Sequence, residues 1–416
     1  MLTDKIQLST AGGLWTDRQG TAGFTRLAFK GVDLAPYWND LVSGITDDAR
    51  GAGIGMDLSI ISQLMGDQKT GLAIQTDSLK YQRLFRSPCA VAAPKLRVLA
   101  LAAEMDIGGN TPVEFLLEGS DVELVWLYIV PGTPMPELLP DHDVAMVIMP
   151  DDSRSRAALA EMDRLATYWP RPILNLPSHI GELDRHRLCR VLGSTPGLEI
   201  PSTAKVQRRW LQDLGAGGER LTDELEDGAF PIIIRPIGSH AGLGLAKLDR
   251  TEAIEDYLKG RPEDMFFISR FVDYSSDDGL FRKYRLVLVD GKAYACHMAI
   301  AEQWKIWYLN ADMVLNAANR AEEAQFMAQF DDEFGTRHAA ALSEMARRIG
   351  VEYCTIDCAE TNDGKLLIFE ADNTAIVHDM DDASIFPYKP AQMRKIFDAF
   401  VAMLYRHARN APLRAA

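Results

Sequence analysis

The chain has 416 residues, of which 47% are apolar and 25% charged, and it carries a formal net charge of −15. This balance excludes a disordered or collagen-like polymer, and the acid excess argues against a general nucleic-acid binder, which needs a basic face for phosphates. No run reaches the roughly 18 uninterrupted apolar residues of a membrane-spanning helix, and the start MLTDKIQLSTAGG lacks the basic-then-apolar pattern of a secretory signal, so a cytoplasmic protein of two or three domains without membrane partners is expected.

Residues 1–93 read as a mainly helical region, from the apolar spacing in FTRLAFKGVDLAPYWNDLVSGI, MDLSIISQLMG and DSLKYQRLFR. Pro88 and Pro94 punctuate its exit. GAGIGM at 51–56 looks like a loose phosphate fingerprint, but no strand precedes it and a flexible helix start explains it as well.

Residues 94–200 change to short apolar runs between turns: LRVLALAA, VELVWLYIV, DVAMVIMP and PILNLP. Between the last two lies the amphipathic SRSRAALAEMDRLATYW, with an N-cap candidate at Ser153. Alternating strand and helix signals predict a parallel α/β layer. GGNTPVEF follows its first strand, where such folds bind ligands, so Asn110, Thr111 and Glu114 are candidate substrate contacts.

The second half reads as α+β, with a boundary expected between 201–275 and 276–416. The strand FPIIIRP, the helix TEAIEDYLKG and the strand MFFISRFVDY come first. YRLVLVDGKAYACHMAIA then shows two strands across Asp290-Gly291, a strong hairpin signal. The five cysteines, at 89, 189, 296, 354 and 358, are scattered and read as buried free thiols. In AIAEQWKIWYLNAD, Lys305 and Trp307 either line an acceptor pocket or pack beneath a long loop.

Two constellations carry chemistry. In FPIIIRPIGSHAGLGLAK a strand ending in Arg235 runs into a loop with Gly238, Gly242 and Gly244, a pattern that turns backbone N–H groups toward phosphate oxygens. A tight hairpin loop needing positive φ would read the same way. In IDCAETNDGKLLIFEADN, Asp357 lies on one strand and Glu370 and Asp372 on the next. A two-residue turn at Asp363-Gly364 would set Asp357 opposite Glu370, with Cβ atoms about 5 Å apart. Carboxylates so close call for a cation, and hard oxygen ligands suit Mg²⁺; an exposed acidic hairpin face is the alternative.

Together these residues resemble the ATP-grasp carboxylate–amine ligases, including the D-alanine–D-alanine ligases and the ribosomal-protein glutamate ligases. The likeness runs over roughly residues 96–405 and is sharpest at 172–205, 230–247, 266–292 and 351–373. Asp357, Glu370 and Asp372 match the family's metal ligands, with Asp372 in place of an Asn and Asn373 beside it as a substitute. Arg235 and Arg185 stand where the family has its two nucleotide-binding lysines.

The resemblance implies an ATP-grasp fold: an α/β pre-grasp domain, then two α+β subdomains clasping ATP, with the helical N-terminal region added. It implies an enzyme that activates a carboxylate as an acyl phosphate with ATP and Mg²⁺ and joins it to an amine, on small-molecule or peptide substrates. Gly238, Ser239, His240, Gly242 and Gly244 would form the phosphate loop, Arg270, Phe271 and Val272 the adenine linker, and Arg285 would face the transferred phosphate beside Arg235. A phosphotransferase using the same grasp and a non-catalytic nucleotide-binding regulator are the other readings. The N-terminal region would serve to recruit a carrier or peptide, or to form a homodimer interface.

Overall fold

The computed structural model describes residues 6–10, 13–239, 242–307 and 310–409. It divides into two compact units: residues 1–181, 351–355 and 372–416 form the first, and residues 182–350 and 356–371 the second. Among the described residues, no helix is long and apolar enough to cross a membrane.

The first unit is built on a six-stranded sheet in the order Thr16–Asp17, Leu84–Arg86, Val122–Tyr128, Leu96–Ala102, Val144–Val147, Ile173–Leu174. All neighbours are parallel except Leu84–Arg86 with Val122–Tyr128. Every residue of VELVWLY is buried, as the unbroken apolar run of a strand covered on both faces requires. The expected helix occupies Arg156–Ala166 and buries Ala158, Leu159, Met162 and Leu165. Its N-cap is Ser155 rather than Ser153.

Helices Thr21–Phe29, Ala35–Ser43, Ala49–Leu64 and Gln68–Leu79 make the N-terminal region mainly helical, as its spacing indicates. It nevertheless lends two short strands to the sheet, Thr16–Asp17 and Leu84–Arg86, the second inside a segment expected to be helical. GAGIGM is helix interior. Its glycines permit close packing: a Cβ on Gly53 would fall 2.5 Å from the Asp17 carbonyl oxygen, and one on Gly55 would fall 2.2 Å from Ser78 Oγ. The C-terminal helix Lys389–Arg409 also belongs to this unit, with the Phe400 ring against Tyr353 at 5.2 Å and the Tyr405 hydroxyl donating to Asp121 Oδ1 at 2.8 Å. Short strands and the tail helix bring residues 351–355 and 372–416 into the same unit as residues 1–181.

The second unit holds two sheets. An antiparallel four-stranded sheet runs Thr203–Gln207, Met265–Arg270, Ile232–Pro236, Ala246–Leu248. Helices Arg208–Gly215 and Ala253–Leu258 bury Leu211, Leu214 and Ile254 against its Ile232, Ile234, Phe266 and Ile268. The other sheet runs Lys292–Ala301, Phe281–Val289, Tyr353–Glu360, Leu366–Asp372, Leu198–Glu199. Its first hairpin closes at Val289–Lys292 through Asp290 at φ 49° and Gly291 at φ 83°, the two left-handed residues that a tight two-residue turn demands. The α/β and α+β layers expected from the sequence are both present.

Candidate functional site

In the second unit, the strand Ile232–Pro236 buries Ile232, Ile234 and Pro236, which leaves Arg235 on its other face at the mouth of the glycine loop. Arg235 Nε donates to Ser239 Oγ at 3.2 Å, its Nη2 donates to the Ser239 carbonyl, and Ser239 Oγ donates to the Pro236 carbonyl at 2.8 Å. Gly238, Gly242 and Gly244 sit at φ 77°, 71° and 69°, a backbone that L side chains rarely adopt. At Gly244 a Cβ would also collide with the Pro236 ring, 2.6 Å away. Burial, helped by the like charge of Arg185, pushes the Arg235 guanidinium down to about 9. Two cations held in mutual repulsion are a place for an anion. His240, expected in this loop, lies outside the described residues.

Arg185 opens the helix Arg185–Leu192, whose N-cap Asp184 accepts from His186 N at 3.1 Å and from Lys205 Nζ at 2.9 Å. The Arg185 guanidinium pairs with Glu370. Each of these side chains is between a quarter and a third exposed, so the pair is open to a ligand.

The hairpin carrying Asp357 and Glu370 does not close as expected. Gly364 N donates to the Thr361 carbonyl at 2.9 Å and Thr361 N to the Lys365 carbonyl at 3.0 Å, with Gly364 at φ 79°. The loop therefore has three residues, Asn362, Asp363 and Gly364, and the Asp357–Glu370 opposition counted from a two-residue turn does not follow. The two carboxylates have separate partners. Asp357 is buried and takes Arg285 Nε at 2.7 Å, Arg285 Nη2 at 3.0 Å and Lys283 Nζ at 2.6 Å. Burial alone would raise its pKa, but the charges of Arg285 and Lys283 outweigh it and hold the carboxyl well below the usual range. Lys283 was not singled out from the sequence. Its signal was parity, since residues 283 and 285 share a face of the strand Phe281–Val289.

Oxygen donors of this kind suit a hard divalent cation, and Glu370, partly exposed, fits one. At Asp357 a metal must first displace Lys283. Among the described residues, no group of three or more His, Cys, Asp or Glu side chains is gathered to hold a metal.

Of the expected adenine linker, Arg270 is spent on Glu199 at 2.7 Å and Asp227 at 3.1 Å, and Phe271 N donates to the Pro231 carbonyl at 2.8 Å. The Phe271 ring meets Trp304 edge-on at 5.8 Å and carries Lys247 Nζ 4.3 Å from its centroid. Val272 packs beside Tyr274, Ala359 and Leu367. Lys305 Nζ donates to the Leu245 carbonyl at 3.1 Å, which ties the segment after the strand Lys292–Ala301 to the end of the glycine loop, and Trp307 is 40% exposed.

No family model and no curated protein matches this chain. Solved structures similar to it include a RimK-domain ATP-grasp protein from Sphaerobacter thermophilus, at 16% identity and TM-score 0.44, covering 76% of this chain and 100% of that one. They also include a D-alanine–D-alanine ligase from Bacillus anthracis complexed with ATP, at 12% identity and TM-score 0.44, covering 76% and 98%. A third is the ATP-grasp ligase PsnB complexed with precursor peptide PsnA2 and AMPPNP, at 11% identity and TM-score 0.40, covering 76% and 99%. These belong to the family that the motifs resemble.

The first unit holds the other expected contacts, and it uses them for its own fold. The Asn110 side chain bridges the Ala103 N and O, both at 2.9 Å. Thr111 is fully buried and donates to the Asn373 carbonyl at 2.7 Å. Glu114 accepts from Arg18 Nη2 at 2.9 Å, Ser87 Oγ at 2.6 Å and Ala22 N at 2.8 Å. Asn373 is buried with its amide nitrogen donating to the Met149 carbonyl at 3.0 Å. Asp372 Oδ1 accepts from Thr374 N at 2.7 Å and Thr374 Oγ1 at 2.9 Å.

Proposed function

We propose that the chain is an ATP-dependent ligase that activates a carboxylate as an acyl phosphate and joins it to an amine. The observation that carries this reading is Arg235 at the mouth of a left-handed glycine loop, within electrostatic reach of Arg185. A fixed guanidinium beside such a loop is what a polyphosphate chain requires.

The reaction asks for positioning and charge neutralisation more than for proton transfer. Arg235 and the amides of the glycine loop bind the phosphates, with Arg185 alongside. Lys283 and Arg285, aligned by Asp357, face the group in flight as a carboxylate oxygen bonds to the γ-phosphorus and the bond to ADP breaks. The amine then attacks the acyl carbon and phosphate leaves. A Mg²⁺ on Glu370 would screen the phosphate charge. The exposed Trp307 and the loop-anchoring Lys305 are the substrate-facing residues of this unit.

The test is a screen of carboxylate and amine pairs, amino acids and short peptides first, for phosphate released from ATP. Release that needs both partners supports ligation. Release that needs only one acceptor and is indifferent to amine would make the protein a phosphotransferase.

A further inference from the structure

Two carboxylates of the second unit, Glu370 and Asp357, are expected to hold a metal, and they differ in access. The Glu370 side chain is 29% exposed and that of Asp357 only 2%. Both oxygens of Asp357 are taken: Lys283 Nζ stands 2.6 Å from Oδ2, and Arg285 gives Nε to Oδ1 at 2.7 Å and Nη2 to Oδ2 at 3.0 Å. The two cations keep more solvent contact, 19% and 23%, so an ion arriving from water meets them before it meets the carboxylate.

The sheet holds this arrangement in place. Residues 283 and 285 share one face of the strand Phe281–Val289, while Tyr284 between them is buried with its ring 4.8 Å from Phe326 and 4.9 Å from Phe334. The neighbouring strand is Tyr353–Glu360, which carries Asp357.

Charge keeps a metal out. Two cations and one anion leave a net positive charge around Asp357, so a divalent ion must enter against like charge or expel an ammonium from a buried partner. An ammonium is a compact point charge with three donors, which suits it to the place of a small cation better than a planar guanidinium. Glu370, paired with Arg185 and open to a ligand, has no such barrier.

We propose, on the ligase reading above, that Lys283 takes the place of a metal at Asp357. Its ammonium supplies the fixed positive charge there, Asp357 is a positioning residue for Lys283 and Arg285 rather than a metal ligand, and the divalent ion enters through Glu370.

The test uses the full chain with an equimolar non-hydrolysable ATP analogue and Mn²⁺. Electron paramagnetic resonance of the free ion should count one tightly bound Mn²⁺ per chain. Anomalous scattering from crystals soaked in millimolar Mn²⁺ should show no ion bonded to Asp357, with Lys283 still against it. Lys283→Met, in the same soak, should gain an ion on Asp357. If that variant fails to fold, the count and the ion positions in the wild type still decide. The proposal is overturned if the wild type holds two tight ions, if an ion sits on Asp357 in its crystals, or if the folded variant gains none there. Failure of the wild type to bind the analogue would sink the ligase reading and this proposal with it, whereas an analogue bound with an ion on Asp357 sinks the proposal alone.

Discussion

Lys283 Nζ lies 2.6 Å from Asp357 Oδ2, on a carboxylate that Arg285 already grips through two nitrogens. One buried anion thus aligns two cations. Asp357→Asn should leave both without their counter-charge and cost about 3 kcal/mol, the low end for a broken buried pair because Lys283 and Arg285 keep some solvent contact. Urea denaturation checks this. Because the folded-state pKa is depressed, the stabilisation is fully present above the unfolded carboxylate pKa of about 4. It is lost only as pH falls below that toward the folded value, so the gap between wild type and variant should be constant above about pH 5 and shrink below about pH 4.

Lys283→Met removes one positive charge without emptying the strand face. If Lys283 faces the group in flight, turnover should fall by roughly 10²-fold or more. ATP affinity should change far less, since Arg185 and Arg235 remain. Steady-state kinetics with saturating ATP separates the two.

In the first unit, two buried groups titrate in opposite senses. His142 Nδ1 contacts the Pro140 carbonyl at 2.8 Å and its Nε2 accepts from Trp169 Nε1 at 3.1 Å, so the ring is held neutral. Burial pushes its pKa down to about 4, and the stability it contributes is present above pH 6.5 and lost as pH falls toward 4. Asp57 is pushed up to about 6, chiefly by burial; its contribution is present below about pH 4 and lost as pH rises through 6. Each span of a little over two pH units corresponds to about 3 kcal/mol. In the wild-type profile these two contributions oppose each other between pH 4 and 6.5. Asp57→Asn should expose a fall toward acid and His142→Asn a rise, both read from unfolding free energies across that range.

Gly53→Ala should destabilise the first unit by about 2 kcal/mol, because the new methyl meets the Asp17 carbonyl and the backbone must shift. Helix propensity alone predicts the reverse, a gain approaching about 1 kcal/mol. Thermal unfolding decides which term wins.

The regular elements were legible because their signals are local. Asp290-Gly291 supplied two left-handed residues between alternating strands, and the turn formed there. The run VELVWLY had to be buried on both faces. Thr361-Asn-Asp-Gly-Lys was harder: Asp363-Gly364 signals a turn, but the Thr361 to Lys365 hydrogen bond makes the loop one residue longer, so a count from a two-residue turn does not apply. Strands of two or three residues, such as Thr16–Asp17, are too short to show a period. The Arg18–Glu114 pair spans 96 residues, and it took Glu114 from the list of candidate substrate contacts into the fold. Pair contacts at that range leave no mark on a single sequence.

The most direct measurement is calorimetric titration with a non-hydrolysable ATP analogue, with and without Mg²⁺, on the wild type and on Glu370→Ala. The account predicts binding with a Kd of roughly micromolar order that requires Mg²⁺ and is lost in the folded variant. Failure of the folded wild type to bind under any metal condition would contradict it, and Glu370 would then be only the surface partner of Arg185.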